Sequence, residues 1–327
     1  MPKEYTDIGG QAVLEGVMMR SPADERMSIA VRKEDGSIVI ESSPATPLTR
    51  KNKFYALPIV RGVVNFVSML VMGYQTLTTS ARLYGLEEEE PSKFEKWLSE
   101  KLGKSTETIV MGTAMVLAVI LAVGLFIMLP SFVSQLFKKI IENRVVVNLI
   151  EGLTRLVIFL LYMIAATSVP DVKRVFMYHG AEHKTIACFE AGEALTPENA
   201  KKHTRFHPRC GTSFLLIVMV ISILFFSVFG WDANYLTRVF SRLMLMPVVA
   251  GISYEVLKYL GKHDNALVRA LRAPGIFLQR LTTKEPDEGM LEVAIAAFNA
   301  CTYDKYKAEE PEKDDDKTET DTSESEA

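Results

Sequence analysis

The chain has 327 residues, with 37 Lys and Arg against 40 Asp and Glu, 48% hydrophobic residues and three cysteines. That length allows one large domain or two smaller ones, and three thiols do not build a disulfide scaffold. The basic residues lie beside apolar segments without an interleaved aromatic platform, which argues against nucleic acid as a partner and for an anionic membrane surface.

Residues 1–56 read as a soluble N-terminal region. The run MSIAVRKEDGSIVIESS alternates apolar and polar residues on either side of Asp35-Gly36, a pairing favoured in tight hairpin turns. Before it stands IGGQAVLEGVMMRSP, where Gly9, Gly10 and Gly16 allow an unusual backbone path or close packing. No basic-plus-apolar signal sequence opens the chain, and the first long apolar segment begins near Leu57.

Residues 57–302 read as a membrane domain, giving a mostly α fold: a polytopic helix bundle of about four spans beside the hairpin-containing N-terminal region. The expected spans are Ile109–Phe137, Val145–Val169, Ser213–Gly230 and Leu236–Leu260, each near the roughly 20 residues needed to cross a bilayer. Val145–Val169 contains Glu151 and Arg155, one turn apart and able to pair. Leu236–Leu260 contains Arg238, Arg242 and Glu255. Leu57–Ala81 holds Arg61, Asn65, Gln75 and several threonines, and could span, lie in the interface or re-enter. Loop charge favours the version in which it does not cross. Most Lys and Arg then fall on one side, with both termini cytoplasmic, although Lys138, Lys139 and Arg144 sit opposite. Residues 303–327 form an acidic tail. From residue 304 onward it holds eleven acids and four lysines, has little apolar content, and reads as solvated and disordered.

Residues 178–214 hold four of the five histidines and two of the three cysteines. Imidazole and thiolate are preferred ligands of zinc and similar ions. His179, Glu182 and His183 spell H-x-x-E-H, which on a helix puts both imidazoles on one face. Two imidazoles hold a metal while the carboxylate takes a proton from water there. His203 and His207 repeat the four-residue spacing, and His207-Pro-Arg-Cys210 has the short separation of a paired-ligand turn. The expected ligands are His179, His183, His207 and Cys210 around a divalent ion, zinc by preference, with Glu182 as catalytic base. Four ligands would close the shell and make the site structural; three would leave room for water. Glu190 and Glu255 are further candidate carboxylates, Lys184 and Arg209 candidate charge stabilisers, and Cys188 a small buried hydrophobe. A cytoplasmic setting keeps these thiols reduced.

Together, IGGQAVLEGVMMRSP, YHGAEHKTIACFEAGE, HPRCGTSF, AGISYEV and APGIFLQRLTTKEP resemble the YqhQ-like family of bacterial membrane proteins over most of residues 7–300. That resemblance implies a bacterial cell-membrane location and metal dependence at His179, Glu182, His183, His207 and Cys210. It supplies no substrate.

The expected function is a metal-dependent membrane hydrolase at the cytoplasmic surface, acting on a membrane-protein segment or a lipid-linked molecule. The alternative is a non-catalytic membrane-biogenesis or quality-control factor whose metal orders a loop and whose partner is the protein-translocation machinery. A transporter using Glu151, Arg155 and Glu255 is a third possibility.

Overall fold

The structure, a computed structural model, describes residues 6–46, 53–86, 106–138, 140–208, 210–228, 234–263 and 265–306, together with residues 97 and 101. Lys139, Arg209 and the acidic stretch after residue 306 lie outside the described residues.

Four strands form an antiparallel meander: β1 (Gly9–Val13), β2 (Gly16–Ser21), β3 (Arg26–Arg32) and β4 (Ile38–Pro44). The expected hairpin is its second half. Arg32 pairs with Ile38 across a turn in which Gly36 adopts φ +84°, a left-handed value that glycine reaches without a Cβ clash. β2 and β3 are nearly continuous apolar runs because both faces of the sheet are covered. Val17, Met19 and Ala30 enter one core, while Val13, Met18, Ile29 and Val31 enter another.

The first core is shared with α5 (Pro170–Glu190), α6 (Pro197–Lys202) and α10 (Glu288–Tyr306). On α10, Ala294 and Ala297 are small enough for the helix to lie close on β2 and β3, and the Ser28 hydroxyl donates to the Ala297 carbonyl. Phe298 packs on Phe189 of α5 with ring centroids 4.8 Å apart. One core thus joins the N-terminal sheet, the histidine-rich segment and the last helix. That segment is helical over most of its first half, and α10 runs past the expected boundary at residue 302.

The second face of the sheet rests on α1 (Val60–Tyr84), through Met72, Leu83 and Tyr84. The first half of α1 crosses α8 (Tyr235–Lys262), where a Cβ on Gly62 would fall 2.8 Å from the Gly251 Cα. Arg61 pairs with Glu255 at this crossing (Nε to Oε1 2.6 Å). Segment 57–81 is therefore tied to α8 at one end and to the sheet at the other, and both carboxylate oxygens of Glu255 accept from Arg61.

Among the described residues, three helices are long and apolar enough to cross a membrane: Gly112–Phe137, Arg144–Ala166 and Tyr235–Leu260. The first comprises α2 (Thr106–Val123), a π-helical turn (Gly124–Met128) and α3 (Leu129–Phe137); the second is α4 (Arg144–Ala166). The fourth expected span is α7 (Thr212–Val228), which is apolar but has 17 residues. It packs against α4, α8 and the amphipathic α9 (Ala266–Thr282). The π-helical turn has a local cause. Pro130 has no N–H to give the Phe126 carbonyl four residues earlier, and Arg155 Nε donates to that carbonyl instead, at 2.8 Å. Arg155 also pairs with Glu151 as expected, at 3.3 Å.

Phe298→Ala should remove about 3–5 kcal/mol from the shared core, lowering the melting temperature of the detergent-solubilised chain. Unchanged melting would mean that α10 does not hold the sheet to α5.

Candidate metal centre

α5 starts at Pro170, where proline suits the first helical turn, and continues through Gly180. A Cβ on Gly180 would lie 2.1 Å from the Lys284 carbonyl oxygen, so only glycine lets the strand-like segment after α9 press against the helix here. The Lys284 N–H donates to the Phe176 carbonyl at 2.8 Å, and the Thr282 carbonyl is thereby placed 2.8 Å from His179 Nδ1. His183 Nδ1 faces the Arg205 carbonyl at 2.5 Å. A carbonyl can only accept, so both Nδ1 atoms carry the hydrogen and both Nε2 atoms keep a lone pair.

The two imidazoles lie on one face of α5 with ring centroids 4.5 Å apart. Cys210 arrives from the loop preceding α7, its sulfur 3.2 Å from His179 Nε2. Candidate ligand atoms of His179, His183 and Cys210 all lie within 4.8 Å of one another. Tetrahedral zinc spaces nitrogen and sulfur ligands by roughly 3.5 Å, so the donors need little movement to enclose an ion. The Thr212 backbone N–H donates to the Cys210 sulfur at 3.5 Å, at the start of α7. Carbonyls behind both imidazoles are the outer contacts a metal-ligating histidine needs. The donor set fits a zinc-class cation held by three protein ligands.

Glu182 is fully buried beside this group. Its Oε1 accepts from the Gly10 N–H at 2.9 Å, and its Oε2 has no hydrogen-bond partner among the described residues. A Cβ on Gly10 would come within 3.0 Å of the Glu182 carboxyl carbon, so the glycine of β1 makes the cradle for this side chain. Burial pushes the Glu182 carboxyl above the usual carboxylate range, opposed by His179, His207 and the Gly10 N–H. A carboxyl whose pKa is raised by burial holds a proton more strongly than an exposed one does.

His207 is placed next to the converging trio but outside it. Its ring centroid is 5.5 Å from that of His183, and its Nε2 is 3.9 Å from Glu190. Gln279 fixes its backbone with two bonds of 2.8 Å, accepting from the His207 N–H and donating to its carbonyl. Glu190 also accepts from the Thr6 N–H at 3.2 Å. His203 goes elsewhere, 3.3 Å from Glu193 and grouped with Cys188. Burial pushes the Cys188 thiol up to about 11, which keeps it protonated. Lys184 is buried, with its ammonium on the Lys201 carbonyl and the Glu285 carboxylate. The expected charge stabiliser Arg209 lies outside the described residues. Gly10, Gln279 and the Thr282 carbonyl are contributors that residue spacing did not single out. Gln279 and Thr282 do fall in the block APGIFLQRLTTKEP, and their three-residue separation brings them to adjacent turns.

Burial holds the His183 imidazole below its ordinary value, opposed by its hydrogen bond to Cys210. NMR titration of the metal-free chain should therefore give His183 a pKa below 6.5. Between that value and 6.5 the unfolded chain binds more protons, so this group's contribution to stability is present above 6.5 and lost as pH falls through the window. Titration at or above 6.5 would mean a solvated ring.

The profile of a protein family described as "Protein of unknown function (DUF1385)" matches residues 57–304. The chain is also 36% identical over 294 residues to the uncharacterized protein YqhQ of Bacillus subtilis (strain 168), covering 89% of this chain and 91% of that protein. No solved structure matches. The matched span takes in α1, the apolar helices, every residue of the converging trio and nearly all of α10; the chain belongs to the DUF1385 family, with YqhQ as a relative over nearly its whole length.

Proposed function

We propose that the protein is a multi-pass membrane metalloenzyme with a hydrolytic site at the cytoplasmic membrane surface. The observation that carries this reading is the convergence of His179, His183 and Cys210 within 4.8 Å, with an unpaired, buried carboxylate oxygen of Glu182 alongside. His179 and His183 would hold a zinc-class ion through Nε2, and Cys210 through sulfur. Such an ion supplies Lewis acidity, lowering the pKa of water and polarising a carbonyl or phosphoryl oxygen. Glu182 Oε2 would take the proton released from the attacking water, and its raised affinity for protons suits that task. Oε1 stays bound to the Gly10 N–H, which keeps the carboxyl plane from turning.

Four crossings are supported by a parity argument. The sheet, α5 and α10 share one core and so lie on one side of any membrane. Between the sheet and α5, the long apolar helices α2–α3 and α4 make an even pair. Between α5 and α10, α8 alone would leave α10 on the opposite side, which supports counting the shorter α7 as the fourth crossing. Both termini then share a side with the metal centre, and the excess of Lys and Arg there supports a cytoplasmic assignment.

An apolar cavity of about 380 Å³ supports a lipid-linked substrate over a membrane-protein segment. Pro208 and Ser213, which flank Cys210 in the chain, line it, as do Ile217 and Leu224 further along α7, with Leu260 of α8 and Gly275 of α9. From Ser213 to Leu224 the lining extends about 16 Å along α7. An amphiphile could lay its chain there with its polar bond at the metal centre.

Purified protein should hold close to one metal per chain, with His179→Ala and Cys210→Ser losing it. Glu182→Gln should retain metal while turnover of lipid-ester and lipid-linked phosphoester probes in micelles falls about 10²–10⁴-fold. Metal-free wild type, or full activity in Glu182→Gln, would overturn the reading.

A second reading rests on His207. Its Nε2 is buried without a hydrogen-bond partner among the described residues, and a ring rotation could make it a fourth ligand. The closed shell would then organise a non-catalytic biogenesis or quality-control factor associated with the translocation machinery. His207→Ala should leave metal content intact with three ligands and lower it sharply with four.

A further inference from the structure

Away from the metal centre, one carboxylate on α4 faces three guanidinium groups. Glu151 takes Arg155 at 3.3 Å, Arg238 Nε at 3.1 Å and Arg242 Nη2 at 2.8 Å, and accepts from the Ser131 hydroxyl at 2.9 Å. All four charged residues are more than nine-tenths buried. Arg155 is satisfied further by the Phe126 carbonyl and by Ser222, and Arg242 lies over the Phe226 ring at 4.3 Å. Arg238 Nη2 donates to Asn148, but its Nη1 is buried with no hydrogen-bond partner among the described residues.

Among the described residues of this cluster the charges do not balance. One carboxylate neutralises one arginine, leaving two positive charges in a bundle whose outer surface is apolar. Arg238 lies in the first turn of α8, and Asn148 and Glu151 lie in the first two turns of α4. Two helix N-termini therefore point their positive ends toward the same region. Lys138 and Arg144 stand at the adjoining ends of α3 and α4. Uncompensated guanidinium groups at this depth are costly and are normally paired.

We propose that the cluster is an anion site, taking a phosphate group at Arg238 Nη1 between the N-terminal ends of α4 and α8. Arg238 is the arginine nearest the end of its helix, about 5 Å along α8 from its start, so an oxyanion entering from that end meets it first. The fork of a guanidinium matches two phosphate oxygens. Arg242 and Arg155 supply a positive field behind it, while Glu151 keeps the three guanidiniums together when the site is free. An anionic phospholipid headgroup and inorganic phosphate share this chemistry. The site is independent of the metal centre and of any hydrolytic role.

The test uses the full chain in detergent. Phosphatidylglycerol, phosphatidylcholine and inorganic phosphate are added separately, with retained lipid read by native mass spectrometry and melting temperature by fluorescence. Preferential retention of phosphatidylglycerol with a raised melting temperature assigns a headgroup; stabilisation by phosphate beyond an equal ionic strength of chloride assigns the free oxyanion. Arg238→Gln should weaken either response about tenfold or more, with metal content unchanged. If that variant does not fold, Arg238→Lys keeps the charge while losing the fork and should weaken the response in the same direction. The proposal is overturned if wild type responds to neither probe beyond its control, or if an Arg238 variant responds as wild type does.

Discussion

Two backbone carbonyls, those of Thr282 and Arg205, set the orientation of the two imidazoles on α5. Without an acceptor behind each ring, either nitrogen could carry the hydrogen and either could face Cys210. With the acceptors in place, the Nε2 lone pairs are committed to one small volume. The carbonyls come from the last residue of α9 and from the segment after α6, so the candidate metal centre depends on tertiary packing far from its own helix. That packing comes down to close approach. Gly180 has no Cβ to hold Lys284 away, and Gly10 has none to keep Glu182 from β1. Larger side chains at either position would separate the groups whose proximity gives the site its chemistry.

The apolar half of the molecule is governed by a different constraint. Helices with lipid-like surfaces have little hydrophobic reason to associate within a bilayer, and polar pairing between them becomes a main source of specificity. Glu151 performs that role, touching Ser131 of α3, Arg155 of its own helix, and Arg238 and Arg242 of α8. Pro130 adds to it by releasing the Phe126 carbonyl, which Arg155 then occupies. The helix irregularity and the ionic cluster are parts of one arrangement, since each leaves a polar group that the other satisfies.

Features carried by neighbouring residues were legible in the sequence. Asp35-Gly36 marks its turn by backbone preference, the i, i+4 histidines share a helix face by geometry, and Glu151 reaches Arg155 across one turn. Cys210 could be grouped with the histidines from the chemistry of its side chain. Features made by distant packing were not legible. The Asp35-Gly36 turn revealed β3 and β4, whereas β2, covered on both faces, lacks both a turn signal of that kind and the alternation of a half-exposed strand. α10 is enclosed by the sheet and α5, which removes the one-sided pattern of a surface helix. The carbonyls behind the imidazoles have no side-chain signature at all. His207 shows the limit from the other direction: its spacing to Cys210 suggested a shared ligand role, yet Gln279 holds its backbone so that Nε2 lies toward Glu190.

The C-terminal turn of α9 connects these two physical regimes. Gln279 fixes the loop carrying His207, and Thr282, three residues on, accepts from His179. The same helix walls the apolar cavity through Ala270, Pro274 and Gly275 and exposes Leu267, Leu271 and Phe277. Its apolar surface therefore faces the region where lipid would lie, while its last turn grips both halves of the polar site. Gln279 and Thr282 thus tie the candidate metal centre to the helix that walls the apolar cavity.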